Sequence, residues 1–212
     1  MEKGWTLMTE DNIMLWQHAA EQGDTEAQYA LGCCYYLGDG VETNPTVSAA
    51  WMKKAAENGH LKAQHTLGMY YYNGTGVLQD YRKAAEWLEL AAEQGDSGAN
   101  DMLGACYYMI GMGYYCGDKE SQDFEQANRY FSRAARRGLV EANYILGMNY
   151  ANGVGVEEPN YKKAFQLFQS AMEMEEDTPG SMAVELYQTY GVRGKKRKQV
   201  SGFLKRNIQI QI

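Results

Sequence analysis

A glycine closes the same kind of tetrapeptide four times along this chain: Ala20-Glu21-Gln22-Gly23, Ala56-Glu57-Asn58-Gly59, Ala92-Glu93-Gln94-Gly95 and Ala135-Arg136-Arg137-Gly138. Successive glycines are 36, 36 and 43 residues apart. A period of that size predicts a stack of supersecondary units, none of which buries its apolar side alone. The repeat therefore sets the architecture before any single side chain is considered. It leaves the ligand open, because a scaffold is defined by packing residues and its partner is chosen by variable ones.

The rest of the chain is compatible with a soluble body. An apolar share of 45% and a charged share of 22% over 212 residues are ordinary for a chain with a sizeable interior. There is no uninterrupted apolar run of about 18 residues, and Met1-Glu2-Lys3-Gly4-Trp5 does not open like a secretory signal, so the expected compartment is the cytoplasm. Cys33, Cys34, Cys106 and Cys116 do not recur at matched places in each repeat and are expected as free thiols. Of the 20 basic residues, 7 lie from Arg193 onward with no acidic residue among them; residues 1–192 then hold 13 basic against 27 acidic, a net −14. An acidic body makes nucleic acid an unfavourable partner and a basic or apolar-basic peptide a suitable one.

Two helical patterns alternate within each period. Helix A carries Ala27, Leu31 and Tyr35, then Ala63, Leu67 and Tyr71, then Ala99, Leu103 and Tyr107, then Ala142, Leu146 and Tyr150, a spacing that places three residues on one stripe. A glycine follows each leucine, at Gly32, Gly68, Gly104 and Gly147. Glycine within a helix costs about 1 kcal/mol against alanine, so its recurrence predicts a close neighbour, expected to be another helix backbone. Glycine-rich loops (Gly38-Asp39-Gly40-Val41, Gly74-Thr75-Gly76-Val77, Gly153-Val154-Gly155-Val156) end helix A. Asn44, Asp80, Asp123 and Asn160 then cap helix B, where Trp51, Trp87 and Tyr130 precede paired alanines.

The combined pattern, Ala-Ala-Glu-x-Gly followed by Ala, Leu-Gly, Tyr-Tyr, Gly-x-Gly-Val and Lys-Ala-x-x-Trp, resembles the Sel1-like repeat, a relative of tetratricopeptide repeats, over nearly the whole chain. The resemblance implies an all-α fold, a right-handed α-solenoid of antiparallel helix pairs, acting as an adaptor. The expected division is an N-terminal capping helix at 9–22, repeats at 23–58, 59–94, 95–137 and 138–173, and a degenerate C-terminal repeat with a basic tail at 174–212. The third repeat departs from the pattern. It holds seven extra residues between Leu103 and Asp123, placed within 109–120, which either extend helix A or enlarge the following loop.

The family register puts Glu26, Tyr29, Cys33 and Tyr36, then Lys62, His65, Met69 and Tyr72, then Asp101, Ala105 and Tyr108, then Glu141, Tyr144 and Met148 on a concave face. Tyrosine and methionine there supply contact area for a peptide, with Glu26, Lys62, Asp101 and Glu141 as its charged rim. Some of these tyrosines are alternatively packing between repeats. Tyr114 and Tyr115, with Ile110 and Met112, form a second candidate contact on the inserted loop, or cover one edge of the groove.

Cys33 and His65 define an enzymatic alternative, a cysteine-dependent enzyme or redox-sensitive switch, although no orienting third residue or donor loop accompanies them. His18, His60 and His65 show no metal-binding spacing, and no metal or cofactor is expected. Lys195-Lys196-Arg197-Lys198 is a solvated surface or a targeting run. Ile208 to Ile212 alternates like an extended strand and offers a third reading, a self-associating structural protein. The favoured reading is a non-enzymatic adaptor that holds a peptide segment of a partner protein.

Overall fold

The computed structural model describes residues 10–118 and 121–174. The expected degenerate repeat beyond residue 174, the basic run and the Ile-Gln tail lie outside the described residues. Within them the regular elements are helices: α1 (Glu10–Glu21), α2 (Thr25–Leu37), α3 (Pro45–Glu57), α4 (Leu61–Asn73), α5 (Tyr81–Glu93), α6 (Ser97–Cys116), α7 (Phe124–Arg136), α8 (Val140–Asn152) and α9 (Tyr161–Met174). This is an all-α repeat fold. The chain divides into two compact units, residues 1–106 and 107–212, with the division inside α6.

In the first unit, α2 pairs with α3 and α4 with α5. The predicted caps form: Asn44 Oδ1 accepts the Val47 N–H at 3.1 Å, and Asp80 Oδ1 accepts those of Arg82 and Lys83 at 3.0 and 3.1 Å. Each satisfies donors that the first helical turn leaves without an intrahelical partner. Gly38 and Gly74 end α2 and α4 in the left-handed conformation, with φ of 77° and 74°. Gly76 combines positive φ with a close approach, since a Cβ there would overlap the Pro45 carbonyl.

The Leu-Gly glycines are explained differently from the expectation. What presses on them is chiefly a bulky helix B side chain, not a backbone: Met52 lies 2.8 Å from where a Gly32 Cβ would sit, and Leu88 lies 2.6 Å from that of Gly68. Met52 and Leu88 are buried core residues, whereas the neighbouring Trp51 and Trp87 are only half-buried. Ser48 fastens the layers together. Its Oγ donates to the Gly32 carbonyl at 2.6 Å and pairs with the Tyr70 hydroxyl at 2.9 Å.

The second unit shows how the extra residues of the third repeat are accommodated. α6 is 20 residues long, against 13 for α2, α4 and α8, so the insertion is helix and not loop. Seven residues are about two turns and return the chain to within about 20° of the same face. Two registers therefore coexist on α6: Leu103 and Ile110 are both buried, and it is Gly111 that faces the ring of Phe131, 2.8 Å from its would-be Cβ. Asp123 N–H donates to Tyr114 O at 3.0 Å, as Asp80 N–H does to Tyr71 O at 2.9 Å. In the α6/α7 hairpin Ile110-Gly111 thus takes the place that Leu67-Gly68 holds in α4/α5, and Tyr114, not Tyr107, takes that of Tyr71. Gly147 repeats the theme in α8 against Phe168.

Candidate functional site

The first unit presents α2 and α4 side by side, and the eight residues expected on their shared face, four from each helix, divide by burial. Glu26, Tyr36, Lys62 and Met69 are exposed, while Tyr29, Cys33, His65 and Tyr72 are half-buried. Between the two helices lies an open cleft of about 230 Å³, whose lining includes Cys33, Tyr36, Met52, Met69 and Tyr70. Tyr36 is 48% exposed and Met69 38%, and Leu37, which also lines the cleft, is 71% exposed. Large apolar groups left in water beside a concavity are the unusual observation here, since scattered single ones carry no information.

The floor of this face is held firmly. Tyr36 packs on Tyr70 with ring centroids 5.6 Å apart, and Tyr70 is fixed by Ser48. Tyr29 stacks on His60 at 4.6 Å, and burial, with Cys33 beside it, pushes the Tyr29 hydroxyl up to about 12. His60 caps α4: its Nδ1 accepts the Ala63 N–H at 3.1 Å, and its Nε2 lies 3.3 Å from Glu26 Oε1. His65 Nδ1 lies 2.8 Å from Asp96 Oδ2, and Asp96 Oδ1 accepts the Ala99 N–H at the start of α6. Burial opposes ionisation of Asp96, but the Ala99 N–H and His65 outweigh it and hold the carboxyl below the usual range.

Cys33 and His65 each engage other residues. His65 is engaged with Asp96, and burial pushes the Cys33 thiol up, an effect that Tyr29 and Lys62 only partly offset. A thiol held protonated is a poor nucleophile. All four cysteines are free. Among the described residues no group of three His, Cys, Asp or Glu side chains is placed to hold a metal, and no helix is long and apolar enough to cross a membrane.

The other predicted contacts separate further. Asp101 is exposed and Ala105 half-buried in the first unit; in the second, Glu141 is exposed and Tyr108 and Met148 are half-buried. Tyr144 is fully buried against Phe168, so its ring belongs to the core and not to a surface. Tyr114 and Tyr115 are on helix α6 and not on a loop: Tyr114 stacks on Tyr130 at 5.8 Å, and Tyr115 meets Phe124 edge-on at 5.2 Å. Ile110 is buried, and Tyr114 and Tyr115 are half-buried. Leu37, Met52, Thr66, Tyr70, Asn73 and Thr75 of the cleft are not among the residues expected from the sequence. A signal for Leu37 exists, an apolar residue at the last helical position before the Gly38 stop, and a signal for the His60 cap exists in its place one period from Asp24 and Asp96.

Comparison with known proteins gives the same repeat. The family model described as Sel1 repeat matches residues 25–60, 61–96, 104–139 and 140–175, leaving 97–103 between the second and third copies. That gap agrees with the α6/α7 register built on Gly111. A Sel1 repeat protein from Oxalobacter formigenes is similar at 27% identity and a TM-score of 0.51, covering 93% of this chain and 79% of that one. A protective antigen of uropathogenic Escherichia coli strains, displaying the same repeat fold, is similar at 24% identity and a TM-score of 0.54, covering 94% of this chain and 41% of that one. No curated protein matches. Sel1 repeat proteins generally mediate protein–protein interaction. With four matched copies lying on the observed helix pairs, the chain belongs to the Sel1 repeat family.

Proposed function

We propose that this protein is a non-enzymatic interaction module whose α2–α4 face receives a peptide segment of a partner protein. The observation that carries the reading is the cleft edged by exposed Tyr36, Leu37 and Met69 over a floor fixed by Tyr70 and Ser48. A preformed floor lowers the ordering cost of association, and aromatic and thioether groups supply adaptable contact. Glu26, Lys62 and Asp101 are exposed and suited to set the register of a bound segment. Four free thiols fit a reducing compartment such as the cytoplasm.

The test is affinity purification of the full chain beside a Tyr36→Ala, Met69→Ala double variant. These two residues are chosen because they are exposed, whereas Tyr29 and Tyr72 are half-buried. Loss of captured partners with unchanged helicity supports the reading. Capture that is the same for both proteins removes this face from consideration.

A further inference from the structure

We infer that the segment received is basic and seats one neutral apolar side chain in the cleft between α2 and α4, a deepening that rests on the reading above that this face takes a peptide. Three observations converge on that partner. The lining carries thiol, thioether, phenol, hydroxyl and amide groups but no formal charge, so a charged side chain entering it would lose hydration without an ionic partner. The cleft, at about 230 Å³, is smaller than the roughly 300 Å³ at which pockets begin to enclose a drug-sized molecule, which favours a single anchor residue over a free small ligand. Met52 and Met69 face that space, and their unbranched thioethers adapt to an anchor of either aromatic or aliphatic shape.

The surroundings of the cleft supply the sign. Residues 10–106 hold 14 acidic and 5 basic side chains, a net −9. Glu26, on the same stripe of α2 as Tyr29 and Cys33, has a side chain 79% exposed. Asp39 follows the Gly38 stop just beyond the end of α2, and its charge is felt at Cys34. Lys62 lies at the other side, near Cys33. Carboxylates therefore stand at both ends of α2, Glu26 in its first turn and Asp39 just past its last, and a cation on either side of the anchor meets one of them. Complementary potentials of this kind raise the rate of encounter and exclude acidic competitors.

The experiment follows the methionine methyl signals of the full chain by NMR, with Met52→Leu and Met69→Leu variants for assignment. The probes are three capped tripeptides: arginyl-phenylalanyl-arginine, arginyl-alanyl-arginine and glutamyl-phenylalanyl-glutamate. The expected result is movement of the Met52 and Met69 methyls by the first probe with an affinity at least about tenfold tighter than by either of the others, a difference of about 1.4 kcal/mol. Equal affinity of the two phenylalanine probes overturns the basic requirement, and equal affinity of the two arginine probes overturns the anchor. No movement of either methyl up to about 10 mM of the first probe overturns the siting. Failure here is distinct from failure of the interaction module itself, which shows as partner capture insensitive to the Tyr36 and Met69 double substitution.

Discussion

Gly111 faces the ring of Phe131 at the point in the α6/α7 hairpin where Gly68 faces Leu88 in α4/α5. Alanine at Gly111 would bring a Cβ to 2.8 Å from a buried ring and 3.3 Å from the Ala127 carbonyl, and overpacking of that kind costs about 1–3 kcal/mol, enough to outweigh the gain in helix propensity. Two residues on, Gly113 has nothing within 4 Å of its would-be Cβ. Gly113→Ala is therefore expected to stabilise the protein by up to about 1 kcal/mol. Opposite shifts in urea midpoint for the two variants would bear out the assigned register, and shifts of the same sign would refute it.

Buried glutamines tie successive repeats together in the first unit. Gln64 Nε2 donates to the Ala56 carbonyl at 3.2 Å while its Oε1 accepts from Gln94 Nε2 at 2.6 Å; Gln28 does the same with the Ala20 carbonyl and Asn58. Gln64→Leu removes both hydrogen bonds while the Ala56 carbonyl keeps the Gly59 N–H at 3.0 Å, and the expected loss is about 0.5–1.5 kcal/mol for each bond. Gln64→Glu should cost more at neutral pH and regain part of the loss on acidification, because a carboxylate confronts a carbonyl until it is protonated. Denaturation of both variants at two pH values checks this.

His60 occupies a helix N-cap, and its contacts specify the tautomer. Because Nδ1 accepts a backbone N–H, the proton of the neutral ring is on Nε2 and points toward Glu26. Imidazole nitrogen shifts at alkaline pH should show that form. His60→Leu removes the cap and is expected to cost roughly 1 kcal/mol more than His60→Asn, which preserves it. Equal destabilisation by the two substitutions would assign the importance of His60 to its stacking on Tyr29 instead.

Alkaline stability has a calculable sign. Burial raises Cys106 from 9.0 to about 12, and Tyr29 from 10.0 to about 12. The unfolded chain releases these protons first, so their contribution is fully present below about pH 9 and is lost progressively as pH climbs through about 12. Cys106→Ala should flatten the fall in urea midpoint between those limits. In the native state exposed Cys116 should react with iodoacetamide first and Cys106 last, with Cys33 slower than an ordinary thiol. Rapid modification of Cys33 at neutral pH would revive the thiol-switch alternative.

The amino-acid sequence by itself determined the alternating helix pairs, the helix B caps and the glycine stops of α2, α4 and α8. A 36-residue spacing, a polar cap at Asn44, Asp80, Asp123 and Asn160, and the Gly38, Gly74 and Gly153 stops are local signals, read through hydrogen bonds that close within a few residues. Tertiary structure alone decided which helix face stays open. Tyr36 and Tyr144 both looked like groove residues, yet Phe168 and its neighbours cover one ring while the other remains half in solvent. It also decided the register of α6, because a seven-residue insertion keeps the same helix face and so leaves Leu103-Gly104 and Ile110-Gly111 equally plausible until Phe131 selects one for the hairpin. Periodicity fixes the direction in which a side chain leaves its helix; whether it meets a neighbour or water depends on what a helix some twenty or more residues away places over it.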